Sequence, residues 1–528
     1  MSPKMIVMYG FKTCTGILAH RFLDFTLILD KFAQPVISTS HHQEIMEVFN
    51  CISVDMGAAS IRIMLGTVRE NYVSYEEISR FKNEIRVIGG HERWDVEHFV
   101  NEINAAIGII LARKDVRISS IGIDSWGVDF VLLDKEANLL DIPVAYRDSR
   151  TRTMQKKWET IMSRQETFKR TGINFYEFNT LFHLLSIRDE SYLKEVSSVI
   201  FMPCYIGYRL SGIVFNELTI ASTSQLMRVD GKVMDDEILK NLNLKPSLFR
   251  EILMPGEIAG NIMDGHSLPS DVKIVAVCCH DTASAVFSVP SENENYAFIS
   301  AGTWCMVGMV SKTPVLNDYA LENGFTNERG YGNSYRILKN IVGLWLIQGL
   351  KESFGKFSFS EIEEMAGSTE SKNIIIPDNE IFYNPKDMKE AFDQYLLSTK
   401  QDVPATPGQY FRIAYDSICC SFRDHLDKLE QMLNVEIKTV HLIGGGGQSA
   451  YFCRQTANIS RRKVIAGPIE GSTIGSIMTQ AIALKAVKDV EEGRMIIRNS
   501  FDIKEYIPEE TQAESQRIYD AYRKLINF

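Results

Sequence analysis

Residues 51–68 read CISVDMGAASIRIMLGTV. An apolar run closes on Asp55, four small residues follow, and apolar residues resume, so the stretch reads as strand, tight turn, strand. Gly57 permits the turn, and Ala58, Ala59 and Ser60 let backbone amides approach a ligand. Such a turn can cradle phosphate oxygens, with Arg62 adding a cation and Asp55 reaching a hydrated Mg2+. Taken alone, Gly-Ala-Ala is more often a plain hairpin turn. The same pattern returns at 295–310, NYAFISAGTWCMVGMV, where Thr303 sets a hydroxyl beside open backbone. Two such turns, one per half, suit a polyphosphate gripped from both sides of a cleft.

Working outward, NYVSYEEISRF extends the first hairpin as a third strand. WDVEHFVNEINAAIGIILARK (94–114) then places Val96, Phe99, Val100, Ile103, Ile107 and Ile110 at three- and four-residue spacing, which predicts an amphipathic helix. ISSIGIDSWGVDFVLL (118–133) returns to strand, turn, strand. A strand–loop–helix pattern at 272–287 has a counterpart in KTVHLIGGGGQSAYFCRQTANI (438–459), so each half repeats a hairpin and a later strand–loop–helix. Strands mixed with helices make this an α/β chain.

At 528 residues the chain exceeds what one core usually serves. The polar stretch SVPSENENY (288–296) is the best boundary. The expected organisation is an extension at 1–49, domains at 50–290 and 291–485, and a helical tail at 486–528. Within the extension, Lys12, His20, Arg21, Asp24 and Asp30 interrupt every apolar run, which excludes a membrane span. Met46 is the expected biological start, because the first strand begins just after it.

Composition bounds the function. With 45% hydrophobic and 23% charged residues and a formal net charge of −10, the chain reads as an ordinary globular protein without a nucleic-acid partner. Nine cysteines, including the pairs Cys278–Cys279 and Cys419–Cys420 but no C-x-x-C, predict buried thiols in a reducing cytoplasm.

The chemistry concentrates in AVCCHDTASAV (276–286). His280–Asp281 has no further His or Cys at metal-ligand spacing, and HERWDVEH (91–98) lacks the H-E-x-x-H register. No serine sits in G-x-S-x-G, so a Ser-His-Asp triad is unsupported. What remains is a carboxylate where a strand gives way to a helix, able to accept a hydroxyl proton during phosphoryl transfer. Capping of the helix by Asp281 is the plain alternative. GGGG (444–447), between strand and helix, lets an anionic or planar ligand approach the backbone. It is not a dinucleotide fingerprint, and GLKESFGKF has the wrong spacing for a Walker A loop.

Taken in order, DMGAAS, GIDSWGVDFVLLD, PVAYRDSRT, CHDTASAV, SAGTW, LKNIVGLWLIQ, LIGGGGQS and AGPIEGSTIGS resemble the FGGY family of sugar kinases over about 50–485. Within that family they are most similar to the kinases of L-rhamnulose. The resemblance implies an actin-like (ribonuclease H-like) fold of two α/β domains hinged around a cleft. It implies ATP- and Mg2+-dependent phosphorylation of the L-rhamnulose 1-hydroxyl; the acidic charge and the interrupted apolar runs argue against a nucleic-acid or membrane partner, and the oligomeric state is left open. On that reading Asp281 is the general base, and Gly127, His280, Asp281, Thr282 and Asn340 hold the sugar. Ala58, Ala59, Ser60, Ile61, Arg62 and Thr303 cradle phosphates, Gln348 and Gly446 contact ATP, and Asp55 faces Mg2+. Three places depart from the family's pattern. The turn is Ala58-Ala59-Ser60-Ile61-Arg62 instead of Ala-Ser-Ser-Gly-Arg, Cys204 replaces an aspartate, and Ile220 replaces an asparagine. A kinase for another sugar, such as L-fuculose or D-xylulose, and a silent sugar-binding protein of the same fold are the rival readings.

Overall fold

Two sheets with one shared topology carry the molecule. The computed structural model describes residues 48–263, 268–293 and 295–526, so the expected extension lies, through residue 47, outside the described residues. The first sheet contains β1 (Phe49–Met56), β2 (Ser60–Arg69), β3 (Tyr72–Lys82), β4 (Ser120–Ser125), β5 (Ile258–Asn261) and β6 (Lys273–Val275), in the order β5-β6-β4-β1-β2-β3. The second contains β7 (Ala297–Ala301), β8 (Trp304–Ser311), β9 (Thr326–Arg329), β10 (Tyr335–Val342), β11 (Thr439–Ile443), β12 (Lys463–Ala466) and β13 (Lys504–Tyr506), in the order β9-β10-β8-β7-β11-β12-β13.

In the first sheet β1 pairs antiparallel with β2, and β2 with β3, while β1, β4 and β6 run parallel. The second repeats this: β7–β8–β10 antiparallel, β7–β11–β12 parallel. The hairpins at 51–68 and 295–310 are therefore equivalent. The strand–loop–helix comparison is corrected. Residues 272–287 hold the last parallel position of their sheet, so their counterpart is 463–483, whereas 438–459 matches 118–125. Sequence alone shows strand–loop–helix in each case but not the strand's place in its sheet.

The principal helices are α1 (Val96–Leu111), α2 (Asp281–Phe287), α3 (Trp345–Phe354), α4 (Pro407–Leu433), α5 (Ala450–Ser460), α6 (Gly471–Ala483), α7 (Val490–Ser500) and α8 (Gln512–Ile526). In α1 the residues expected to face inward are buried, and Asp95 caps the start by accepting from the His98 N–H at 3.2 Å. Helix α4 opens with a Thr406–Gln409 capping box and stops at Asn434, whose φ is 52°.

The return of α6 is what positions the site. It follows β12 of the second sheet, yet Ile474, Ile477, Met478 and Ala481 pack into a cluster with Cys51 and Val68 of the first. On the way it crosses α2. A Cβ at Gly475 would lie 1.9 Å from the Ser284 carbonyl oxygen, so only glycine permits this approach. The segment after 485 likewise divides: α7 joins the first sheet's cluster through Ile496 and Ile497, and β13 edges the second sheet. Among the described residues no helix is long and apolar enough to cross a membrane, and eight cysteines are buried free thiols.

Candidate active site

The parallel strands of the first sheet end together. Asp55 and Asp124 stand side by side in the β1–β4 register, and the chain leaving β6 reaches His280, which bridges to Ser125 of β4. Cys279 N–H donates to Glu217 (3.1 Å) and His280 N–H to the Thr219 hydroxyl (3.1 Å), so two buried polar groups pin this approach. Asp281 then opens α2 and accepts from the Thr282 N–H at 2.6 Å. Burial pushes its carboxyl up to about 6; His280 offsets part of this and Asp55 adds to it. A quarter of the side chain remains open.

Gly127 lies against this loop: a Cβ there would meet His280 Nε2 and Thr223 at 3.4 and 3.3 Å. Its turn is strained, because the β-branched Val128 has φ 71° and Asp129 N–H returns to the Gly127 carbonyl. Thr223 accepts from Val128 N–H (3.0 Å), Thr180 donates to its carbonyl (2.5 Å), and buried Asp129 accepts both the Trp94 and Trp126 indoles. These contacts hold a conformation that costs about 1–3 kcal/mol. Asn340, on β10, reaches the hydroxyl of half-buried Tyr176.

The hairpin turn between β1 and β2 is pinned by Asn83, which donates to the Gly57 carbonyl through its side chain and to Ala59 through its backbone. Ala58, Ala59 and Ser60 keep accessible surface, whereas Ile61 points into the core and offers only backbone. Arg62 is already paired, with Asp55 at 2.5 Å and with Glu470; burial works against its charge and the two carboxylates more than offset this. Ser472 and Thr473 also donate to Asp55, at 2.5 and 3.3 Å. In the second half, Thr303 is exposed and donates to Gln348 at 3.4 Å. Gly446 is buried: a Cβ there would lie 2.6 Å from the Ala301 side chain, while one at Gly445 would meet nothing within 4 Å. Gly446 is thus needed for packing on the β7–β8 turn, and the loop's open backbone is at Gly445.

The two halves of the chain from 50 to 288 and from 297 to 484 match the models of the FGGY family of carbohydrate kinases, N-terminal domain and C-terminal domain. A rhamnulokinase of Bacillus subtilis (strain 168) is 36% identical over 464 residues, covering 87% of this chain and 95% of that protein. The rhamnulokinase of Bacteroides thetaiotaomicron is 37% identical, covering 88% and 97%. The chain belongs to the FGGY family of carbohydrate kinases. It is a sugar kinase, and family membership brings ATP as phosphoryl donor.

Solved FGGY-type structures share the architecture. A gluconate kinase from Lactobacillus acidophilus superposes with TM-score 0.78 at 15% identity, covering 91% of this chain and 98% of its own. A Plasmodium falciparum glycerol kinase with ADP gives 0.77 at 15%, covering 91% and 98%. The fold is the actin-like two-domain α/β arrangement expected from the sequence.

Against that family background, four groups of residues escaped the sequence reading. Asp124 is wholly buried, and neither carboxylate oxygen has a hydrogen-bond partner among the described residues. Burial, then Asp55 and Asp281, push it well above the usual carboxylate range. Glu470, Ser472 and Thr473 bind Arg62 and Asp55 from the far end of the chain. Glu217 supports the approach to His280, and Glu328 and Arg336 grip the 280–282 loop from the second sheet. The first two groups lie inside quoted blocks; the only signal for the others is charge inside otherwise buried strands. The departures at Cys204 and Ile220 are both fully buried in the first sheet's core, Cys204 beside Cys279.

Proposed function

We propose that this kinase transfers the γ-phosphoryl group of ATP to the 1-hydroxyl of L-rhamnulose, in the cytoplasm, with Asp281 as general base. The substrate rests on the curated relatives, named rhamnulokinase, that cover about nine-tenths of this chain. The base rests on one observation: Asp281 is a half-buried carboxylate with one oxygen held by Thr282 N–H and a side chain still partly open.

In the reaction the sugar O–H bond breaks as its oxygen bonds to the γ-phosphorus; the proton passes to Asp281. The bond from the γ-phosphorus to the bridging oxygen breaks, and ADP leaves with that electron pair. A base with a carboxyl near 6 is ionised at neutral pH and basic enough to take the proton as charge develops. His280 and Thr282 on either side, Gly127 facing His280 Nε2, and Asn340 from β10 orient the sugar. The open backbone of 58–60, Arg62, Thr303, Gln348 and the glycine loop orient the phosphates and ATP. Alignment and charge neutralisation carry most of such a reaction.

Asp55 and Asp124 would hold Mg2+. The unpartnered, fully buried oxygens of Asp124 beside Asp55 fit a hard cation, whose remaining shell is water and phosphate. When bound, the ion neutralises charge on the phosphoryl group in flight.

Product analysis tests the reading. Incubation with ATP, Mg2+ and L-rhamnulose should yield a sugar monophosphate whose phosphorus couples to carbon 1 in NMR. Coupling to another carbon would move the reacting hydroxyl and overturn the assigned orientation.

A further inference from the structure

His280 and Thr282, the two neighbours of Asp281, are held by a single side chain from the other half of the molecule. Arg336 lies on β10, and its side chain is wholly buried. Its Nη1 donates to the Thr282 hydroxyl at 2.8 Å. Its Nη2 lies 3.0 Å from His280 Nδ1 and donates to Glu328 at 2.8 Å. Its Nε donates to the Arg329 carbonyl at 3.1 Å. Glu328 is the residue directly opposite on β9, and its carboxylate is also 3.2 Å from His280 Nδ1. Burial alone would raise the Glu328 carboxyl, but Arg336 and His280 hold it down at about 2.

We infer that Arg336, anchored by Glu328, is a positioning residue for phosphoryl transfer, fixing the direction of Asp281 and the orientation of the His280 ring through one guanidinium fork. The inference rests on Asp281 as base and adds the element that aims it. A guanidinium only donates. Facing Nδ1 it favours a lone pair there, while the Glu328 carboxylate, which only accepts, favours a proton, so the two together set the tautomer balance of the ring. The other nitrogen, Nε2, faces Gly127 and lies 3.6 Å from Asp281. The imidazole is thus held in one orientation toward the sugar, with Glu328 and Arg336 behind it and Asp281 beside it. The Thr282 hydroxyl, already accepting from Arg336, keeps its proton for donation. Two contacts from one rigid fork also fix the backbone between them, which is the Asp281 backbone. A lysine at 336 keeps the charge opposite Glu328 but cannot reach both neighbours in this geometry.

The experiment combines Arg336→Lys with Thr282→Val in a double-mutant cycle, read as kcat and KM for sugar and for ATP. Arg336→Lys should lower kcat/KM for the sugar roughly ten- to a hundredfold, the loss expected for a charged hydrogen bond, with KM for ATP within about twofold. Thr282→Val on top of it should cost much less than Thr282→Val alone. Nitrogen-15 NMR of the histidine rings, without any ligand, should show a tautomer balance for His280 in Arg336→Lys that differs from the parent protein's. Full additivity in the cycle, equal losses toward sugar and ATP, or a His280 signal unchanged by Arg336→Lys would overturn the inference. If Asp281→Asn instead kept full turnover, the base assignment alone would fall, since the ligand-free His280 signal reads the clamp independently.

Discussion

Asp281 and Asp124 illustrate how burial tunes two carboxylates to different ends. As the proposed base, Asp281 must be ionised to accept a proton, and burial pushes its carboxyl up to about 6. The pH profile of kcat/KM for the sugar should therefore be flat above about pH 7 and fall tenfold per unit below about pH 6. Asp281→Asn should reduce kcat by roughly 10² or more while sugar affinity stays within a few-fold, measured by steady-state kinetics and by calorimetric binding. Burial, then Asp55 and Asp281, raise Asp124 well above the usual carboxylate range, so the folded state holds its proton to higher pH than the unfolded chain does. Its contribution to stability is then present at low pH and is lost as pH rises above the unfolded value toward the folded one. Asp124→Asn should raise the thermal midpoint at pH 8, with the gain shrinking toward zero near pH 4, and should weaken Mn2+ binding measured by electron paramagnetic resonance. A midpoint lowered at pH 8 would contradict the unpaired, buried state. Asp281 was legible because it stands in a contiguous motif with His280 and Thr282. Asp124 stood in an equally visible block, but that neither oxygen has a partner appears only in three dimensions. Glu328 and Arg336 lay outside every motif; their pairing follows from the β9–β10 register.

Helix packing decides whether those residues arrive in place. Helix α2 presents Asp281 and crosses α6 where a Cβ at Gly475 would meet the Ser284 carbonyl. Gly475→Ala should force the helices apart at a cost of about 1–3 kcal/mol, seen as a lower denaturation midpoint, and should reduce kcat because α2 carries Asp281, the proposed base. Unchanged stability would mean the crossing is looser than the structure shows. The glycine loop makes a paired case: Gly446→Ala should destabilise by crowding Ala301, whereas Gly445→Ala, facing open space, should leave the midpoint within about 0.5 kcal/mol of the parent. Elements with a strong period were legible, as α1 and both hairpins show. The close approach of α6 to α2 joins residues far apart in sequence, so nothing in AGPIEGSTIGS itself marks Gly475 as the crossing point.

At the scale of the molecule, one sheet topology occurs twice, and α6 ties the second copy back to the first. The sequence suggested the duplication through its hairpins and misplaced the second matching element, since strand order is not written in local pattern. Charge linkage across the chain is equally global: Asp55 and Arg62 near the start are bound by Glu470, Ser472 and Thr473. The central claim is sugar-dependent phosphoryl transfer with L-rhamnulose as acceptor. Its most direct test is ADP release from ATP and Mg2+ by the purified protein, with L-rhamnulose compared against L-fuculose, D-xylulose and glycerol. The account predicts release driven by L-rhamnulose far above the other three and lost in Asp281→Asn. Release driven best by another sugar, or stimulated by none, would contradict it.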